Sequence, residues 1–94
     1  MAGEHQAVQV HITGRVQGVG FRDWTAREAR QLGLAGWVRN EADGSVAALI
    51  IGPEDAATAM IGRLWKGPRL ASVSGVTSQA VSVAELPVGF RITG

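Results

Sequence analysis

Residues 7–32 read AVQVHITGRVQGVGFRDWTAREARQL, and the fold turns on a change of period within them. From Ala7 to Thr13 the pattern alternates, with Val8, Val10 and Ile12 on one face and Gln9, His11 and Thr13 on the other. That period of two predicts a strand with one buried side. From Phe21 the period lengthens, and Phe21, Thr25, Ala29 and Leu32 share one face of a helix. Between the two lies GRVQGVGFR, Gly14 to Arg22, with glycines at 14, 18 and 20. Gly33 reads as a left-handed helix cap, and Leu34 as the residue that folds back on the last turn.

Working outward, Ala35 to Asn40 reads as a strand, Asp43-Gly44 as a turn, and Ser45 to Ile51 as the returning strand of a hairpin. The apolar run VAALII predicts a central place in the sheet for that strand. Gly52 breaks the run, Pro53 suits the first turn of a second helix, and Glu54 and Asp55 suit its positive end. Ala57, Met60, Ile61 and Leu64 form the inner stripe of this helix, Lys66 lies in its last turn, and Gly67-Pro68 ends it. Two more strands are predicted, Ser72 to Val83 and Val88 to Thr93, the latter with Val88, Phe90 and Ile92 facing inward. The order predicts an α+β fold: a ferredoxin-like βαββαβ sandwich, with an antiparallel sheet of four strands plus a short fifth and two helices on one face.

Composition narrows the function classes. The chain has 94 residues, which reads as a single domain over 1–94 with a thin core. It has no cysteine, which excludes disulfides, thiolate nucleophiles and cysteine metal sites. No apolar run reaches the roughly 20 residues needed to span a bilayer. The opening MAGEHQAVQ has neither the basic start nor the apolar stretch of a signal peptide, so a cytoplasmic protein is expected. A formal net charge of +1 does not point to a polyanion, and no nucleic-acid partner is expected. No long apolar stripe is left over once the core is assigned, so a monomer is expected.

The glycine-rich segment is the first candidate site. In a split βαβ unit the first two strands run parallel, with the third between them, so their C-terminal ends share one edge of the sheet. The Gly14 loop, Asn40 and the start of the first helix all fall on that edge. Free amide groups and a partial positive charge at a helix N-terminus favour an anion. Glycines at 14, 18 and 20 let successive amides converge on one oxyanion. Arg22 sits in the first turn, where a cation is mildly unfavourable; a bound phosphate offsets that cost through paired hydrogen bonds. The plainer alternative for Arg22 is a surface ion pair with Asp23 or Glu28. Asn40 carries an amide that can accept from water and donate to an oxyanion, or, more plainly, can cap the turn toward Asp43-Gly44. The segment is not a P-loop, since no lysine lies near it, and a dinucleotide fingerprint needs glycine where Asp23 stands.

Together these residues resemble the acylphosphatase family, small enzymes that hydrolyse acyl phosphates to a carboxylate and inorganic phosphate. GRVQGVGFR at 14–22 resembles the first signature of the family throughout. AREARQLGLAGWVRNEADGSV, Ala26 to Val46, carries the second, LGLxGWVxN followed by DG. GPRLASV at 67–73 and the late GFRI also fit, so the likeness covers nearly the whole chain. The resemblance implies that Arg22 binds the substrate. It implies that backbone from Arg15 through Val16, Gln17, Gly18 and Val19 to Gly20 wraps the phosphoryl group, and that Asn40 orients the attacking water. It implies a small-molecule acyl phosphate as partner and neither metal nor cofactor. Ala47 stands where relatives often carry Glu, and Ile51 where a Gln often precedes the glycine; neither touches the expected site.

Other readings remain open on the residues alone. His11 lies on the polar face of the first strand and His5 in an expected frayed terminus; without a nearby ligand partner they do not make a metal site. Trp24, Trp37 and Trp65 fall on amphipathic elements and read as packing residues. An RNA-recognition module of this fold would carry aromatics on its first and third strands, and VQVHIT and SVAALII have none. The stronger rival is a non-catalytic or accessory domain that binds phosphorylated or carbamoylated small molecules.

Overall fold

A computed structural model describes residues 5–94. The elements are β1 (His5–Arg15), α1 (Phe21–Gln31), β2 (Ala35–Asn40), β3 (Val46–Pro53), α2 (Glu54–Lys66), β4 (Ser72–Ala80) and β5 (Phe90–Ile92). The five strands form one sheet in the order β4-β1-β3-β2-β5, with both helices packed on the same face. This is the expected ferredoxin-like α+β architecture. Val8, Val10 and Ile12 of β1 are buried against that layer, with Val38, Val46, Ala48 and Ile50 of the neighbouring strands. Phe21, Ala26 and Ala29 of α1 and Ala57, Met60 and Leu64 of α2 close the core from above. The apolar β3 is the central strand, as its run of aliphatic residues requires.

The sheet is mixed rather than purely antiparallel. β1 pairs antiparallel with β3 and β4, and β2 with β3, but β5 joins β2 in parallel. The reason is geometric. β4 ends beside the start of β1, where Val81 donates to the Ala7 carbonyl at 2.9 Å. The chain then crosses the width of the sheet along that edge and reaches the start of β2, where the Gly89 carbonyl accepts from Gly36 at 3.0 Å. A strand that begins there can only run alongside β2. The crossing also ends β4 at Ala80 rather than Val83 and delays β5 to Phe90. Of the three residues expected to face inward, Phe90 is buried at 3%, but Val88 lies 83% exposed on the crossing and Ile92 40% exposed.

Other details refine the reading. His5 is not frayed: it pairs with Pro53 at the start of β1. Pro53 is the N-cap of α2 and still extended, rather than within its first turn. Gly33 and Leu34 cap α1 as expected, donating to Arg30 at 3.1 Å and Ala29 at 2.9 Å. Trp24 packs on Phe21 with ring centroids 5.5 Å apart. Trp37 instead lies beneath the Arg39 guanidinium at 4.5 Å, and Trp65 is 51% exposed.

Gly14 belongs to the sheet and not to the loop. β1 runs on to Arg15, and its register with β4 shifts between Thr13 and Gly14. At this bulge Gly14 has φ +122, and a Cβ would stand 2.2 Å from the Ser72 carbonyl oxygen and 2.7 Å from the Ser74 nitrogen. Gly14→Ala is therefore expected to destabilise the fold by about 3 kcal/mol, as strained backbone and overpacking combine. Urea unfolding with an unchanged m-value reads this; a midpoint equal to wild type would remove the explanation.

Candidate functional site

The loop between β1 and α1 spans residues 16–20, with Arg15 the last residue of β1. Gly18 and Gly20 adopt left-handed φ of 75° and 77°. A Cβ at either would meet no atom within 4 Å, so the demand for glycine is conformational rather than spatial. Gly20 is the N-cap of α1 and gives it no side-chain cap. The first-turn amides of α1 thus follow directly on the turn of the loop, the arrangement that concentrates donors on an anion.

Val16, Gly18 and Gly20 line a cleft of about 200 Å³ together with Phe21, Arg22, Asp23, Asn40 and Ile92. The cleft unites the glycine loop, the expected arginine and the expected asparagine. Arg15 at the end of β1 and the loop residues Gln17 and Val19, which alternate with Val16, Gly18 and Gly20, are not part of its lining.

Arg22 does not make the surface ion pair considered for it. Its Nη1 donates to the Gly94 carbonyl at 2.8 Å, while Glu28 is paired with Arg63 at 2.9 Å. Among the described residues Arg22 pairs with no Asp or Glu side chain, and it lines the cleft. Asn40 likewise does not cap the turn. It follows Gly36 and Val38 on the helix-covered face of β2. Its Oδ1 is buried and accepts no hydrogen bond from the protein. Such an atom calls for a small polar ligand such as water.

The turn after Asn40 is held by other groups. Asp43 accepts from the Ser45 hydroxyl at 2.5 Å and the Ser45 amide at 3.0 Å. These bonds, with His11 nearby, hold the Asp43 carboxyl below the usual range. His11 Nε2 lies 2.6 Å from the Ser45 hydroxyl. This Ser-His-Asp group is not a nucleophilic triad: the hydroxyl proton of Ser45 points at Asp43, so the ring nitrogen serves as its donor and cannot take that proton. His11 braces a turn.

Gln17 is a residue whose side chain sequence reasoning passed over. Its Nε2 donates to the Glu41 and Ser45 carbonyls, both at 2.8 Å. One carboxamide therefore ties the glycine loop to the hairpin that carries Asn40. Ile92 was also missed as a cleft residue, because alternation placed it in the core.

The profile of the acylphosphatase family matches residues 8–92. The chain is 60% identical to the acylphosphatase of Rhizobium meliloti over 93 residues, covering 99% of this chain and 98% of that one. Its structure is similar to that of an acylphosphatase from Coxiella burnetii, with a TM-score of 0.90 and 34% identity over 95% of this chain and 93% of the other. It is also similar to part of T. kodakarensis HypF, with a TM-score of 0.85 and 29% identity; 95% of this chain matches 12% of that protein. The chain belongs to the acylphosphatase family. Among the described residues no helix is long and apolar enough to cross a membrane.

Proposed function

We propose that the chain hydrolyses small acyl phosphates, with phosphate held by the 15–20 backbone and Arg22 and water oriented by Asn40. The observation that carries this reading is one cleft that joins the left-handed glycine loop, an arginine paired with no Asp or Glu among the described residues, and a buried, unpartnered asparagine oxygen. Phosphoryl transfer asks for positioning and charge stabilisation more than for covalent help. The loop amides and Arg22 take the phosphoryl oxygens and the charge that spreads over them. Asn40 accepts a proton contact from water at Oδ1 and donates from its amide nitrogen to a phosphoryl oxygen, which aims the water at phosphorus. The bond from water oxygen to phosphorus forms as the bond from phosphorus to the carboxyl oxygen breaks. The water proton passes to a phosphoryl oxygen. The leaving carboxylate has a pKa of about 4 and departs unprotonated, so the chemistry needs no general acid.

The enzyme works as a single-domain cytoplasmic monomer without a nucleic-acid partner. A chain without cysteine, a net charge of +1 and exposed apolar residues spread over separate segments support this. The accessory-domain alternative is less favoured, since the match to HypF takes in 12% of that protein while the R. meliloti relative is matched over 98% of its length. The decisive assay is release of inorganic phosphate from acetyl phosphate. Release above the spontaneous rate supports the enzyme, and release at the spontaneous rate removes it.

Gln17→Leu is expected to lower kcat about tenfold, because the loop and Asn40 lose their common tether. Two carbonyls lose a donor, with a stability cost of about 1–2 kcal/mol. Kinetics paired with urea unfolding checks both, and an unchanged kcat in a destabilised protein would reduce Gln17 to a structural role.

A further inference from the structure

A second groove, of about 530 Å³, opens on the other side of the glycine loop. Its walls are Val19, Trp24, Pro68 and Leu70, with Arg27 and Arg69 among them. It shares Gly20 and Asp23 with the phosphate cleft, and Asp23 is its one acid. Two sets of observations say what it takes.

The first is direction. In the strand order β4-β1-β3-β2-β5, the loop leaves β1, and the 67–71 connection enters β4 on one side of it. Asn40 and Ile92, at the ends of β2 and β5, lie on the other side, and neither lines the second groove. An in-line displacement places the leaving group opposite the attacking water. Water held at Asn40 therefore sends the leaving carboxyl group toward the 67–71 side, where the groove begins.

The second is chemistry. Leu70 is 71% exposed and, with the indole of Trp24, offers an apolar floor in the open. Among the described residues neither Arg27 nor Arg69 forms an ion pair. Two unpaired guanidinium groups beside an apolar floor suit an apolar body that ends in a carboxylate.

Building on the hydrolytic reading above, we propose that this groove is the subsite for the acyl part of the substrate, and that it favours aromatic or similarly bulky acyl phosphates bearing a distal carboxylate. Acetyl phosphate is too short to use it. The experiment compares kcat/KM for acetyl, benzoyl and 4-carboxybenzoyl phosphate, the last being rigid and unable to cyclise. Wild type should prefer 4-carboxybenzoyl over benzoyl phosphate by about fivefold, as expected for exposed charge pairing. The double variant Arg27→Gln, Arg69→Gln should erase that preference. Leu70→Ser should lower the ratio of benzoyl to acetyl phosphate about fivefold, the effect of losing one apolar contact. Both changes are at exposed positions, which keeps folding out of the comparison. Ratios within twofold of wild type in both variants would overturn the subsite while leaving the hydrolytic function intact. Absence of hydrolysis of all three substrates would overturn the function, and the subsite with it.

Discussion

Arg22→Ala is expected to lower kcat/KM for acetyl phosphate by about 10³-fold and to abolish the rise in Tm that inorganic phosphate gives the wild type. The guanidinium stands in the first turn of α1, at the positive end of that helix, where it is mildly disfavoured. Its hydrogen-bond partner is the Gly94 oxygen, and among the described residues no Asp or Glu side chain pairs with it. A phosphoryl dianion supplies the missing charge through two parallel bonds, each worth about 1.5–3 kcal/mol. Without the arginine the dianion rests on backbone amides alone. Arg22→Lys should restore part of the binding and little of the rate, because an ammonium keeps the charge without the fork. Turnover within tenfold of wild type in Arg22→Ala would overturn the role.

Asn40→Ala should behave differently. Its kcat is expected to fall about 10²–10³-fold, the effect of removing one preorganised polar group at the reacting centre. Affinity for inorganic phosphate should stay within about threefold, since the loop and Arg22 remain. Asn40→Asp keeps an acceptor oxygen but loses the amide donor and sets a negative charge beside the dianion, so it should be no more active than the alanine variant. If Asn40→Ala instead lost phosphate affinity and kept kcat, the roles of Asn40 and Arg22 would have to be exchanged.

Much of this molecule is written in local periodicity. The alternation of Val8, Val10 and Ile12 and the helical spacing of Phe21, Thr25 and Ala29 mark one face each, and those faces are buried. The hairpin at Asp43-Gly44 and the cap at Gly33 rest on backbone chemistry that two or three residues decide. Arg22 and Asn40 could be brought to one edge because the topology alone puts them there. Periodicity fails where a partner strand decides. Gly14 looked like a loop glycine because nothing near it in sequence reveals that Ser72 will lie against it. Val88 and Ile92 keep the alternating pattern, yet Val88 falls on the crossing before β5, and Ile92 stands on an edge strand with little to cover it. Gln17 stayed hidden for a related reason: its acceptors lie 24 and 28 residues away, on a turn whose position only the folded sheet defines.

The crossing of the chain from β4 to β5 also ties the site to the whole sheet. It brings Ile92 to a cleft begun by Val16, and the Gly94 carbonyl to an arginine 72 residues earlier. Contacts of such sequence separation carry a loop-closure entropy that local contacts do not. The cleft is therefore complete only where residues 16–22 and 92–94 have come together. Turnover in this protein is a report on the whole fold, and no partly folded intermediate that lacks β5 holds the finished site.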